Sequence, residues 1–326
     1  MFRNIVVPLD GSTFSEHALP QAVDIARRSG ARLHLVQVHE PPTAQVYPDG
    51  LPVYDERWDG SVRAQTEEYL RSVAHRAMEK AGVSPVTELL DGPVSGAIAA
   101  YAGEVEADLV VMTTHGRGGI SRAWVGSVAD ALVRRAPVPL LLIRPKEQDI
   151  DWTSTAEARH VLIALDGSEL AEGILGPALR LGSLVGARFT LVRVVLPVPF
   201  VIGQHATGPA FDEAGAAQSR LNAVAYLDRV AESLQARGAD VAVDTVFHTV
   251  PALGILDYAA THAVDMIAMA THGRGGWSRV ALGSVADKVM RGTMMPVMLY
   301  RPPAQPHDVD AGGAGDPAME TPCPTP

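Results

Sequence analysis

Two stretches of the chain carry residue types suited to holding an anion. One reads Thr113-Thr114-His115-Gly116-Arg117-Gly118-Gly119 and runs on to Gly126-Ser127. The other reads Ala270-Thr271-His272-Gly273-Arg274-Gly275-Gly276 and runs on to Gly283-Ser284. Glycine has no Cβ to keep a ligand away from backbone N–H groups. A helix start adds N–H donors without intrahelical partners and a partial positive charge. A Gly-rich segment that opens a helix is therefore a phosphate site in the making. The plainer reading makes Ser127 and Ser284 helix caps and the glycines turns. Asp10 and Asp166 close the first apolar run of each half. A carboxylate there can bind ribose hydroxyls or a divalent metal, and before Gly11 or Gly167 it can equally serve a turn. His115 and His272 could touch a phosphate or bond locally.

The charges fit small anions better than large ones. The chain has 326 residues and a net charge of −10. Segments 113–135 and 270–292 each carry +3, which leaves −16 on the rest. Two positive islands in an acidic chain suit two small anionic ligands, or are solvated helix faces. They do not suit nucleic acid, whose binding depends on neutralising many phosphates. No G-x-x-x-x-G-K-[ST] occurs, and the only lysines are Lys80, Lys146 and Lys288, so a P-loop NTPase is excluded. No G-x-G-x-x-G follows the first strand and no G-x-S-x-G elbow is present. His34 and His39 lie five apart on a strand, on opposite faces, and make a poor metal pair. Cys323 is the single cysteine, which excludes a disulfide framework or a Cys-based zinc cage. The apolar runs, such as 138–143, fall far short of the roughly 18 residues of a membrane span. With no signal-peptide pattern at the start, a cytoplasmic protein is expected.

The elements that position these residues come in two sets. His115 through Asp130 returns as His272 through Asp287, identical at twelve of sixteen positions and offset by 157. Arg3 through Ser12 resembles Arg159 through Ser168 at an offset of 156. The chain is a duplicated domain, with units expected at 1–145 and 158–302 and a polar linker over 146–157. Seven prolines in the last 25 residues mark 303–326 as a disordered tail. In the first half, strands are expected at 5–9, 33–38, 86–90, 108–112 and 138–143. Thr13 and Glu16 have capping-box spacing. A Pro-rich loop, 41–53, precedes a long polar helix over 61–80, and 97–102 lies in a further helix. The second half repeats the strands at 161–165, 189–194, 241–247, 265–269 and 296–300. Strands alternating with helices imply an α/β fold with a parallel sheet covered on both faces. If strands one and four are neighbours, Asp10 faces the glycine segment across a crevice at the carboxyl ends of the strands.

These residues resemble the universal stress protein family. Its nucleotide-binding members carry G-x-x-G, nine residues, then G-[ST] after strand four, with an Asp ending strand one. Gly116, nine residues, Gly126 and Ser127 match, as do Gly273, nine residues, Gly283 and Ser284. The resemblance implies two tandem open sheets of strand order 3-2-1-4-5, packed as a pseudo-dimer through their last strands. It implies ATP, with magnesium, bound through ribose near Asp10 and Asp166. Adenine would lie by Val38 and Val194, and phosphates on the segment that includes His115, Arg117 and Gly119 or His272, Arg274 and Gly276. The first glycine of the family pattern is replaced by Thr113 and Ala270, whose Cβ atoms stand where a phosphate would approach, so two sites of different affinity are expected. The function implied is an ATP-binding stress-response regulator with a protein partner, no nucleic acid and no membrane; a second copy of the chain is a further candidate partner. A very slow ATPase or phosphotransferase, or a nucleotide-free scaffold using loops 41–53 and 197–209, are the alternatives.

Overall fold

The computed structural model describes residues 1–40, 45–46, 52–53, 56–114, 126–145, 150–152, 158–197, 199–200, 210–211, 213–272 and 282–301. The glycine segments 115–125 and 273–281 and the tail lie outside the described residues, as does most of the linker and of the loops over 41–53 and 197–209.

Short runs of β-branched and aliphatic residues form the strands. In the first half these are β1 (Asn4–Pro8), β2 (Arg32–His39), β3 (Val86–Asp91), β4 (Leu109–Thr113) and β5 (Leu140–Ile143). In the second they are β6 (His160–Ala164), β7 (Arg188–Val195), β8 (Asp240–Phe247), β9 (Met266–Ala270) and β10 (Val297–Tyr300). Two further ladders, Gln45–Val46 with Pro52–Val53 and Pro199–Phe200 with Ala210–Phe211, were not foreseen and are two residues a side. The helices are α1 (Thr13–Glu16), α2 (Leu19–Ser29), α3 (Glu56–Ala81), α4 (Val94–Glu104), α5 (Ser127–Arg135), α6 (Glu169–Glu172), α7 (Leu175–Ser183), α8 (Glu213–Gln235), α9 (Pro251–Thr261) and α10 (Ser284–Gly292).

All ten long strands join one sheet, in the order β8-β7-β6-β9-β10-β5-β4-β1-β2-β3. Each half reads 3-2-1-4-5, with its strands parallel. The halves meet where β10 pairs antiparallel with β5, Val297, Met298 and Leu299 standing opposite Leu142, Leu141 and Leu140. The last strands therefore pair within one chain, as the pseudo-dimer expectation requires.

Successive strand residues feed two apolar layers. On one face Ile5, Val7, Leu141, Val161 and Met298 pack with α2, α3, α7 and α8. On the other, Val6, Val110, Leu142, Leu162 and Leu299 pack with α4, α5, α9 and α10. Both layers run through the β5–β10 seam, so the sheet is covered on both sides along its length.

The expected capping box at Thr13 and Glu16 is corrected. Ser12 is the cap of α1, its Oγ accepting from Ser15 N at 3.2 Å. Glu16 is buried and accepts instead from Tyr69 Oη at 3.0 Å and Arg76 Nη2 at 2.8 Å. The polar helix α3 starts at Glu56, five residues before the expected start.

The two strand histidines do point to opposite sides. His39 Nε2 lies 2.7 Å from Asp59 Oδ1 of α3. His34 Nδ1 lies 3.0 Å from the Tyr101 hydroxyl of α4, and its Nε2 lies 3.3 Å from Asn4 Oδ1. Burial, aided by the nearby Arg32 charge, lowers the His34 pKa below its ordinary 6.5. The unfolded chain therefore takes up this proton first, and the fold loses stability as pH falls from 6.5 through the lowered value. His34→Gln, which keeps a donor and an acceptor without titrating, is expected to flatten the fall in urea midpoint between about pH 7 and about pH 5. An unchanged slope would remove His34 from the account.

Candidate functional site

Strands β6 and β9 are neighbours, with Val161, Leu162, Ile163 and Ala164 beside Met266, Ile267, Ala268 and Met269. Their helices leave toward opposite faces of the sheet, so a crevice opens at their carboxyl ends, as at the switch point of open α/β sheets. A cleft of about 660 Å³ occupies this position. It brings together Asp166, Val194, Ala270, His272, Gly283 and Ser284 from the residues singled out in the second half. Gly273, Arg274 and Gly276 lie outside the described residues.

Asp166 serves a turn as well as facing the cleft. Its Oδ1 accepts from Ser168 N at 2.9 Å and Ser168 Oγ at 2.6 Å, while Ser168 Oγ accepts from Ala171 N to cap α6. Asp10 repeats this with Ser12 at 2.9 and 2.6 Å. The turns need Gly11 and Gly167, at φ 81° and 90°, where a side chain would be strained. The same short circuit, Asp to Ser to helix start, thus fixes one carboxylate oxygen at each strand end.

Gly283, not Ser284, is the N-cap of α10, and Gly126, not Ser127, is the N-cap of α5. Neither helix start has a side-chain cap bond. This corrects the reading of the serines as caps, because each begins the helix one residue later. The glycine cap has a reason apart from backbone freedom. Gly283 sits at φ −59°, ψ 138°, which any residue can adopt. A Cβ there would lie 2.5 Å from the Thr271 carbonyl oxygen. That carbonyl accepts from Gly283 N at 3.0 Å and anchors the helix start to the end of β9. In the first half Gly126 N donates to Thr114 O at 2.7 Å.

Thr113 and Ala270 end β4 and β9 and are both buried. Ala270 lines the cleft. Val38 is partly buried against the layer that holds α4 and α5. His115, Gly116, Arg117 and Gly119 lie outside the described residues. His272 makes the local contact of the plainer reading, Nδ1 to Thr271 Oγ1 at 3.0 Å, and also borders the cleft. Part of each positive island is neutralised along its helix. Arg134 Nη2 meets Asp130 Oδ1 at 3.0 Å, and Arg291 Nε meets Asp287 Oδ1 at 2.8 Å.

Sequence reasoning missed Arg193, Leu196, Ser219, Pro251 and Leu282 in the cleft wall. Arg193 stands one residue before Val194, and its guanidinium lies 5.4 Å from the Tyr226 ring centre. Tyr226 Oη donates to Glu172 Oε1 at 2.9 Å. Burial foremost, with the Glu172 carboxylate beside it, raises the Tyr226 pKa far above its ordinary value. A charge at the end of strand two was the available signal, since a cation there has little reason to enter a core.

Among the described residues no three His, Cys, Asp or Glu side chains group as a metal site, and no helix is long and apolar enough to cross a membrane. Among the described residues that line the cleft, Asp166 is the one carboxylate.

The molecule is thus a duplicated α/β protein, two open 3-2-1-4-5 sheets fused edge to edge, with a cleft at the second switch point. The sequence profile of the Universal stress protein family matches residues 1–144 and again 157–301, and the chain belongs to that family. A universal stress protein of Staphylococcus haemolyticus is 34% identical over 153 residues, covering 46% of this chain and 90% of that protein. One from Staphylococcus aureus strain USA300 is 33% identical, with 46% and 89% covered. Among solved structures, a universal stress protein of Archaeoglobus fulgidus superposes with a TM-score of 0.63 at 20% identity, over 92% of this chain and 96% of that one. At that identity the likeness is one of fold.

Proposed function

We propose that this chain is an ATP-binding regulatory protein of the stress response, not a turnover enzyme. The observation that carries the reading is the cleft at the β6–β9 switch point, where Asp166, an apolar wall at Val194 and the uncapped start of α10 face one space. Phosphates would take the first N–H groups of α10 and the Ser284 hydroxyl, which makes no cap bond. Ribose would meet Asp166 and the base Val194, while magnesium on the phosphates would lie toward the Asp166 carboxylate. The first half would hold a second nucleotide between Asp10, Val38, Thr113, Gly126 and Ser127. On this reading the functional units are 1–145 and 158–302, acting in the cytoplasm on a protein partner.

A ligand that binds only the folded state stabilises it by RT ln(1 + [L]/Kd), about 2.7 kcal/mol at a hundredfold excess over Kd. Millimolar ATP with magnesium is therefore expected to raise the melting temperature by a few degrees. Nucleotide retained through purification would be identified by mass spectrometry. No thermal shift and no retained nucleotide would end the reading. Phosphate release above about 1 s⁻¹ would make the protein an enzyme instead.

A further inference from the structure

Two arginines cross the seam between the halves. Arg144 follows the last residue of β5 and reaches α10, where its Nη2 donates to the carbonyl oxygens of Arg291 at 2.6 Å and Met290 at 3.3 Å. Arg301 follows the last residue of β10, and its Nη1 donates to the carbonyl oxygen of Arg134 in α5. The two positions are related by the same 157-residue offset as the glycine segments. Each arginine therefore clasps the last turn of the helix whose first turn borders the other half's candidate site. Helix ends leave such carbonyls without intrahelical partners, and the dipole favours a cation there.

Backbone bonds carry each clasp back to its own half's site. Ile143 O accepts from Thr114 N at 2.9 Å, and Thr114 O accepts from Gly126 N, the cap of α5, at 2.7 Å. Tyr300 O accepts from Thr271 N at 2.9 Å, and Thr271 O accepts from Gly283 N, the cap of α10, at 3.0 Å. The links close a ring: α5 start, β5 end, Arg144, α10, then α10 start, β10 end, Arg301 and α5 again.

We propose that Arg144 and Arg301 are positioning residues that couple the two sites, so that a triphosphate at one helix start raises affinity at the other. The proposal rests on the nucleotide reading above. An anion that orders the first turn of α5 also orders the last turn held by Arg301, and with it Tyr300 and Thr271 at the second site. The second ligand then meets a site already ordered. By linkage the effect is equal in both directions.

The test uses the full chain and calorimetric titration with ATP and magnesium. Gly283→Ala, which weakens the second site by at least about tenfold and is titrated at ATP concentrations that leave it empty, is expected to weaken binding at the first by at least about fivefold. In the Arg144→Met/Arg301→Met background the same substitution is expected to leave the first site unchanged. An equal loss in both backgrounds, or no loss in either, overturns the coupling. If the methionine pair does not fold, Arg144→Lys/Arg301→Lys keeps the charges but lacks the planar fork, and is expected to give a smaller loss than the wild-type background. A ligand-free arm reads amide hydrogen exchange at Thr114 and Gly126. Gly283→Ala is expected to speed it with the arginines present and not without them; equal exchange in both backgrounds overturns the coupling. Failure of ATP to bind anywhere ends the nucleotide reading, and this arm then decides the coupling by itself.

Discussion

Gly283→Ala is expected to cost the second cleft at least tenfold in ATP affinity while the chain stays folded. The added Cβ meets the Thr271 carbonyl oxygen at 2.5 Å, and a backbone atom cannot rotate away as a side-chain end can. Relief requires the start of α10 to move off the end of β9, breaking the 3.0 Å bond from Gly283 N to Thr271 O. The N–H groups proposed to hold the phosphates move with it. Hydrogen bonds to a charged group are worth about 1.5–3 kcal/mol each, so losing the alignment of one accounts for about a tenfold loss or more. Backbone torsion adds nothing, since φ −59° suits alanine. The contrast is Gly176→Ala, where a Cβ meets nothing within 4 Å, and which is expected to leave ATP affinity unaltered. Calorimetry on both variants decides, and equal affinities would place the phosphates away from this helix start.

Truncating Leu141 to alanine is expected to destabilise both halves together, by about 2–5 kcal/mol. Leu141 is 1% exposed on β5, opposite Met298 of β10 and beside Val111 of β4. All three belong to the apolar layer that extends into both halves. A cavity there loosens the seam itself, so protection against exchange should fall in β1 and in β6 alike. Loss confined to β1–β5 would mean that the halves unfold independently. Leu253→Ala, at a side chain 47% exposed, is the surface control and is expected to stay within about 0.5 kcal/mol.

The strands were legible because their apolar runs are short, dense and spaced by helical segments. Doubling of the pattern fixed their assignment, since an ambiguous run such as 86–90 has a counterpart at 241–247. Strand order and the pairing of the last strands came from family resemblance, because apolar runs carry no information on which neighbour they choose. The cap was misread at Thr13 because Ser12, one residue earlier, is an equally favourable type whose Oγ accepts from Ser15 N, and at Ser127 and Ser284 for a different reason. A favourable residue type marks the vicinity of a helix start, whereas the cap itself is settled by a tertiary contact, such as the close approach of Gly283 to Thr271 O. Arg144 and Arg301 were invisible for the same reason. Each looks like a surface residue after a strand until the opposite helix end is in place to receive it. At the site, His272, Gly283 and Ser284 were reached from motif spacing, Asp166 from its place at a strand end, and Val194 and Ala270 from the family resemblance, while Arg193 and Ser219 enter the cleft from walls that no motif spans.

The β5–β10 seam has a consequence for how the protein answers its surroundings. Two separate chains that pair by their border strands come apart on dilution. Here both borders belong to one polypeptide, and tethering of this kind holds partners at an effective concentration on the order of millimolar. The proportion assembled is then the same whether few copies are made or many. Abundance then drops out as a variable for the pairing of the two halves, and the joined sheet persists at any level of expression.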